Sequence, residues 1–145
     1  MSTSSLIIFL DIDGVLRVDG VQSRTELDET AVGRLRWIVR SIGARVVISS
    51  IWRHAFPLEY FQHHLGDFVI GCTPFLFPEQ QGVREKEINA WVAENQPGTS
   101  WIAIDDDPDL FLPSCTGLFL CDPQRGLDLS TFNQLLAFIR EKPEA

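Results

Sequence analysis

Five consecutive apolar residues, Leu6-Ile7-Ile8-Phe9-Leu10, run directly into Asp11-Ile12-Asp13-Gly14. An apolar run without alternation reads as a strand covered on both faces, which calls for a parallel sheet packed between helices. A buried strand ending in acids delivers them to the carboxyl edge of that sheet, where open α/β folds bind ligands. Residues i and i+2 of an extended chain point the same way, so both carboxylates are expected to face one small site. Gly14 permits a turn that a residue with a Cβ would resist. Two such carboxylates repel and raise one pKa unless a cation, or a division of acid and base roles, resolves the conflict.

The rest of the chain alternates strand and helix signals. Asp28 reads as an N-cap with Leu27 and Val32 as a hydrophobic staple; Leu35, Ile38, Val39 and Ile42 follow at helical spacing and Gly43 stops the helix. Arg45-Val46-Val47-Ile48 is a second buried strand, ending in Ser49-Ser50. Residues 57–65 read as a short helix with Pro57 in its first turn, Phe68-Val69-Ile70 as a third strand, and residues 73–82 as a loop. Ile88, Trp91 and Val92 mark another helix, closed by Pro97-Gly98. Trp101-Ile102-Ala103-Ile104 is a strand ending in Asp105-Asp106-Asp107, and Leu118-Phe119-Leu120 is one more. Phe132, Leu135, Leu136 and Ile139 stripe a last helix, and residues 141–145 read as a frayed tail. This order implies an α/β fold of three layers, Rossmann-like, with a mainly parallel sheet of about five strands.

At 145 residues the chain reads as a single domain spanning 1–145. No apolar stretch approaches the roughly 20 residues of a membrane span. Residues 1–5 carry no basic region ahead of a signal sequence, so cytoplasmic residence is expected. Cys72, Cys115 and Cys121 form an odd set without C-x-x-C spacing, which argues for reduced thiols rather than disulfides or zinc. The net charge of −8 disfavours a broad nucleic-acid footprint but leaves room for a local basic pocket.

Three strands end in chemically loaded residues: Asp11 and Asp13, then Ser49, then Asp105 and Asp106. In a parallel sheet these ends share one edge. Carboxylates with a hydroxyl suit Mg²⁺, a hard cation that takes oxygen ligands and bridges to phosphate, and one aspartate could then attack phosphorus while its neighbour moves a proton.

With these motifs in this order, nearly the whole chain resembles the haloacid dehalogenase (HAD) superfamily. The resemblance implies that Asp11 is the nucleophile forming an aspartyl-phosphate. It implies that Asp13 is the general acid and base, with its main-chain carbonyl on the metal. Ser49 matches the second motif as a phosphoryl contact, with Ser50 the alternative. The basic residue of the third motif is Arg84 or Lys86; Arg84-x-x-Glu87-Ile88-x-x-Trp91-Val92 favours Arg84 by its similarity to small members of the superfamily. Such members also tend to carry Ser-Ser followed by Trp-Arg, here Ser49-Ser50-Ile51-Trp52-Arg53. Asp105 and Asp106 match the fourth, metal-binding motif, with Asp109 behind them. The implied Mg²⁺ ligands are thus Asp11, Asp13, Asp105 and Asp106.

Gly14, Ser50 and Arg53 are candidate substrate contacts, Arg53 through a second phosphate or acidic group. Trp52 is either buried in the core or free to stack on a base. Asp107 and Asp109 read as solvated, and His54, His63 and His64 carry no metal-ligand pattern. HAD relatives take specificity from inserted cap domains, yet residues 16–25 hold only a short flap and residues 54–82 are consumed by a helix, a strand and a loop. A capless, open phosphohydrolase for a phosphorylated substrate is therefore expected. The rivals are a phosphatase that processes nucleic-acid ends and a phosphate-binding module without turnover.

Overall fold

The computed structural model describes residues 6–18, 20–21, 25–76 and 80–142. In chain order these form β1 (Ile7–Leu10), α1 (Glu29–Ile42), β2 (Arg45–Ile48), α2 (Leu58–His64), β3 (Val69–Cys72), α3 (Val83–Asn95), β4 (Trp101–Asp105), β5 (Leu118–Leu120) and α4 (Leu129–Glu141), with 3-10 turns at Ile51–His54 and Pro108–Leu110. The five strands make one all-parallel sheet in the order β3-β2-β1-β4-β5. The chain moves outward from β1 to β3, then returns to β4 on the other side of β1. The strand that ends in the acids is therefore central and stands at the point where strand order reverses, the usual place for a ligand crevice.

Side-chain alternation along the strands divides the interior into two cores. Ile8, Leu10, Val46, Ile48, Ile102 and Ile104 pack against Leu35 and Ile38 of α1, Phe61 of α2 and Leu135 of α4. Ile7, Phe9, Val47 and Ala103 face the opposite way, against Ile88 and Trp91 of α3 and Phe111. Phe9 anchors this second core edge-on to Trp91 and Trp101, with ring centroids 5.6 and 5.7 Å away. Every apolar side chain of β1 is at 0% exposure, and each stabilises the fold by roughly 1.5–3 kcal/mol. The expected three-layer α/β fold is the one that forms, and no inserted cap domain occurs among the described residues.

Some boundaries differ from expectation. β3 begins and ends later than Phe68-Val69-Ile70 suggested, because its pairing with β2 shifts register between Val46 and Val47. That shift carries Thr73 to the carboxyl edge, where its amide donates to the Ile48 carbonyl at 3.0 Å. Pro57 precedes α2 as its N-cap instead of lying in its first turn. Asp28 caps α1 as expected, accepting from the Thr30 amide, and Asp128 does the same for α4 with the Thr131 amide. Arg36 of α1 satisfies the end of α2, donating to the carbonyls of Leu65 and His64 at 2.7 and 2.9 Å. The readings made for residues 1–5, for part of the flap (19, 22–24), for part of the loop before α3 (77–79) and for the tail at 143–145 lie outside the described residues. Among the described residues no helix is long and apolar enough to cross a membrane.

The Asp128 cap yields a pH signature. Thr131, through its amide and side chain, and then Arg125 hold the Asp128 carboxyl down at about 2. A carboxyl depressed by folding contributes stability above its ordinary value of 3.8 and loses it as pH falls through the folded value. Asp128→Ala is thus expected to lower the urea midpoint near neutral pH, with the gap to wild type closing as the pH approaches about 2. A gap that persists unchanged in acid would contradict this account.

Candidate active site

The sheet ladder continues one residue beyond each strand and fixes the chemical residues at its edge. The amide of Asp11 donates to the Ile104 carbonyl at 3.0 Å, and that of Ser49 to the Leu10 carbonyl at 3.0 Å. By strand alternation Asp11 continues the face of Ile7 and Phe9, Ser49 that of Val47, and Asp105 that of Ala103. This is the face covered by α3, and Arg84 enters from the first turn of that helix. Its Nη1 lies 2.7 Å from Asp105 Oδ2 and 3.5 Å from Asp11 Oδ1. Lys86, the rival third-motif base, is exposed on the same helix.

Asp105 is fully buried and organises its neighbours. Oδ2 takes Arg84, while Oδ1 accepts from the amides of Asp106 and Asp107 at 2.8 and 3.0 Å. Oxygens of Asp11, Asp105 and Asp106 all lie within 4.8 Å of one another. Burial pushes the Asp11 carboxyl well above its ordinary range; Asp105 and the hydrogen bond with Asp106 add to this, and Arg84 opposes it. Burial raises Asp106 as well. Such clustered acids share a proton or take a cation.

The donor set fits a hard divalent ion: carboxylate oxygens, no sulfur or imidazole among them, and more negative charge than one arginine offsets. The side-chain polar atoms buried without a protein partner are equally informative. Among the described residues these are Ser49 Oγ, Thr73 Oγ1 and Arg84 Nε, all at this edge. An unmet buried donor costs about 1–3 kcal/mol, so a cluster of them marks a place where a ligand's oxygens belong.

Gly14 is required by a close approach rather than by a substrate. Its φ is +80°, and a Cβ there would sit 2.3 Å from Asp106 Oδ2. Its amide donates to the Arg17 carbonyl at 2.9 Å, so it is not available as the substrate contact the sequence suggested.

β1 ends at Leu10, and the amides of Val15 and Leu16 turn back to the Ile12 carbonyl, so Asp13 stands on the turn that follows the strand. There its carboxylate meets Trp52 Nε1 at 3.0 Å and Arg17 Nε at 3.2 Å. Two further expectations are corrected. Ser50 accepts from the Trp52 amide at 3.1 Å and caps the turn, which engages its hydroxyl. Arg53 is buried structure: its guanidinium donates to the carbonyls of Thr73, Ser49, Ser50 and Pro74 and pairs with Glu87 at 3.0 Å. No donor is left to hold a second phosphate. Trp52 is half-buried and packs against the core, as the first of its two readings expected, with its N–H on Asp13.

Sequence reasoning passed over Arg17, Thr73 and the buried Glu87. Glu87 had a signal, an acid on the inner face of a helix three residues from Arg84. It reaches Arg53 with one oxygen and the Leu76 amide with the other, tying α3 to the ends of β2 and β3. Arg17 lies in a non-periodic loop that carries no such signal.

A five-stranded parallel sheet with an acid-tipped central strand, a hydroxyl on the next strand, a helix-borne arginine and paired acids after the fourth strand defines a HAD-type domain. Residues 7–132 match the family described as "HAD domain in Swiss Army Knife RNA repair proteins", and the chain belongs to that family. Comparison with curated proteins gave no match.

The Arg53–Glu87 pair supplies a direct check. Removing one partner of a buried ion pair strands the other, at a cost of roughly 3–5 kcal/mol. Arg53→Met is therefore expected to unfold at markedly lower urea. A variant of unchanged stability that has lost only substrate affinity would restore the binding role.

Proposed function

We propose that this protein is a Mg²⁺-dependent phosphohydrolase that works through an aspartyl-phosphate and acts on a phosphate ester at the end of an RNA chain. The observation that carries the chemistry is the buried Asp11, 3.5 Å from Arg84 and beside a hydroxyl, Ser49 Oγ, that has no protein partner. Simple phosphate binding needs donors; it does not need a carboxylate aimed into the same space.

Asp11 attacks phosphorus, forming an O–P bond while the ester O–P bond breaks. The leaving oxygen takes a proton from Asp13. Ser49 Oγ and Arg84 Nε donate to the phosphoryl oxygens, which supplies the acceptors that both lack. Asp13 then takes a proton from water, the water oxygen bonds phosphorus, and the Asp11–P bond breaks to release inorganic phosphate. Mg²⁺ held by Asp11, Asp106 and Asp105 would offset the charge of the carboxylates and the phosphoryl oxygens.

The RNA reading is supported by the family description and by the lack of an inserted cap domain among the described residues, which leaves room for the terminus of a long polymer. A net charge of −8 limits backbone tracking, so recognition rests on the terminal phosphate. Three free cysteines suit a reducing compartment, which supports cytoplasmic residence.

Hydrolysis of 4-nitrophenyl phosphate with Mg²⁺, with EDTA and by Asp11→Asn tests the chemistry; activity surviving either EDTA or the substitution sinks it. Release of phosphate from 3′- and 5′-phosphorylated oligoribonucleotides, compared with small phosphate esters, tests the substrate. A small ester preferred over both RNA ends would dismiss RNA.

The two basic candidates separate in the same assay. Arg84→Ala is expected to lower kcat/KM by roughly a hundredfold or more, in line with the loss of a transition-state donor. Lys86→Ala, at an exposed position, is expected to stay within about twofold. The reverse ranking would reassign the third motif.

A further inference from the structure

Asp13 poses a positional problem that its neighbours solve. Its carboxylate is 56% exposed, so packing does not fix its direction. Yet each oxygen meets a donor: Oδ2 the indole N–H of Trp52 at 3.0 Å, Oδ1 the Nε of Arg17 at 3.2 Å.

Both donors are themselves held. The Arg17 side chain is only 8% exposed; its carbonyl accepts from Gly14 and its Nη1 donates to the Glu26 carbonyl at 3.0 Å. Trp52 lies in the Ile51–His54 turn capped by Ser50 and packs on Phe56, with ring centroids 5.5 Å apart. The guanidinium carbon of Arg17 lies over the Trp52 ring, 5.9 Å from its centroid. Two fixed donors thus grip one exposed acceptor.

An exposed ion pair adds little to stability, so this arrangement is poorly explained as a folding device. Orientation is what it supplies. We propose that Trp52 and Arg17 are positioning residues for proton transfer: they aim Asp13 at the oxygen that leaves phosphorus. This rests on the phosphohydrolase reading given above.

A carboxylate oxygen that accepts one hydrogen bond keeps a second lone pair, and the transferred proton sits there. Trp52 stands three residues after Ser49, so the loop that would contact the phosphoryl group also sets the direction of the proton carrier. With its N–H spent on Asp13 and its ring beside Arg17 and Phe56, Trp52 is a poor platform for a stacked base.

Mispositioning an acid slows esters in proportion to their need for one. An alkyl phosphate leaves as a strongly basic oxygen and requires the proton; 4-nitrophenolate leaves without it. kcat/KM covers the steps up to loss of the leaving group, so the contrast appears there. The test compares kcat/KM for an alkyl phosphate and for 4-nitrophenyl phosphate in the full chain with Mg²⁺, for wild type, Trp52→Phe, Arg17→Lys and Asp13→Asn, with melting temperatures alongside.

Trp52→Phe keeps a ring and deletes the N–H. It is expected to lower the alkyl rate roughly tenfold more than the aryl rate, with Arg17→Lys following in the same direction and Asp13→Asn showing the largest contrast. Equal loss on both esters, or no loss on either, overturns the inference while leaving the hydrolase reading intact. A wild type that hydrolyses neither ester overturns the reading and the inference together. If Trp52→Phe melts far below wild type, Arg17→Lys decides by the same ratio.

Discussion

The contact between Arg84 and the acids at the edge of the sheet is the interaction on which the rest of the site depends. Asp11 and Asp105 are carried to adjacent strand ends by backbone pairing, whatever their charges prefer. Burial removes the water that would otherwise screen them. Arg84, at 2.7 Å from one and 3.5 Å from the other, is the protein's only direct answer among the described residues, and it is incomplete. A deficit of positive charge left over after folding is a binding property. A shared proton or a cation can make up that deficit. Burial lowers the tendency of Arg84 to hold its proton, but Asp105 and Asp11 outweigh it and keep the guanidinium charged.

Holding Arg84 where it acts is the work of the core beneath. α3 lies on the sheet through Ile88 and Trp91, and Phe9 receives Trp91 edge-on. Gly71 has no side chain where the indole nitrogen approaches; a Cβ there would be 3.1 Å from it. Above this apolar layer, Glu87 and Arg53 tie the helix to the carbonyls at the ends of β2 and β3. The site is thus stacked on two supports of different chemistry. Apolar packing sets the height of the helix, and a buried ionic knot sets its position along the edge.

Much of this was legible in the chain because it depends on periodicity and strand ends. Unbroken apolar runs gave away the buried strands, and what followed each run gave the acids and the hydroxyl. Legibility failed where side chains obey turns rather than strands. Asp13 follows Asp11 by two residues, yet it stands on the turn after the strand, and its partners Trp52 and Arg17 follow from that turn instead of from strand alternation. Arg53 reads as a surface cation after a motif; only the fold reveals four carbonyls and a carboxylate around it. Trp52 illustrates the same limit, since its partner Asp13 lies 39 positions away and no local pattern links them. Long-range polar contacts between loops have no period to read.

The closeness of Gly14 to Asp106 bears on how this site can change over time. A side chain at position 14 and a carboxylate at position 106 compete for one volume. Position 14 cannot gain a side chain while the acid at 106 stays where it is, and its positive φ would strain an L residue there even after 106 had been shortened. The two constraints are independent, so relieving one does not free the position. Glycine at 14 is held in place twice, by the carboxylate beside it and by the backbone that carries it.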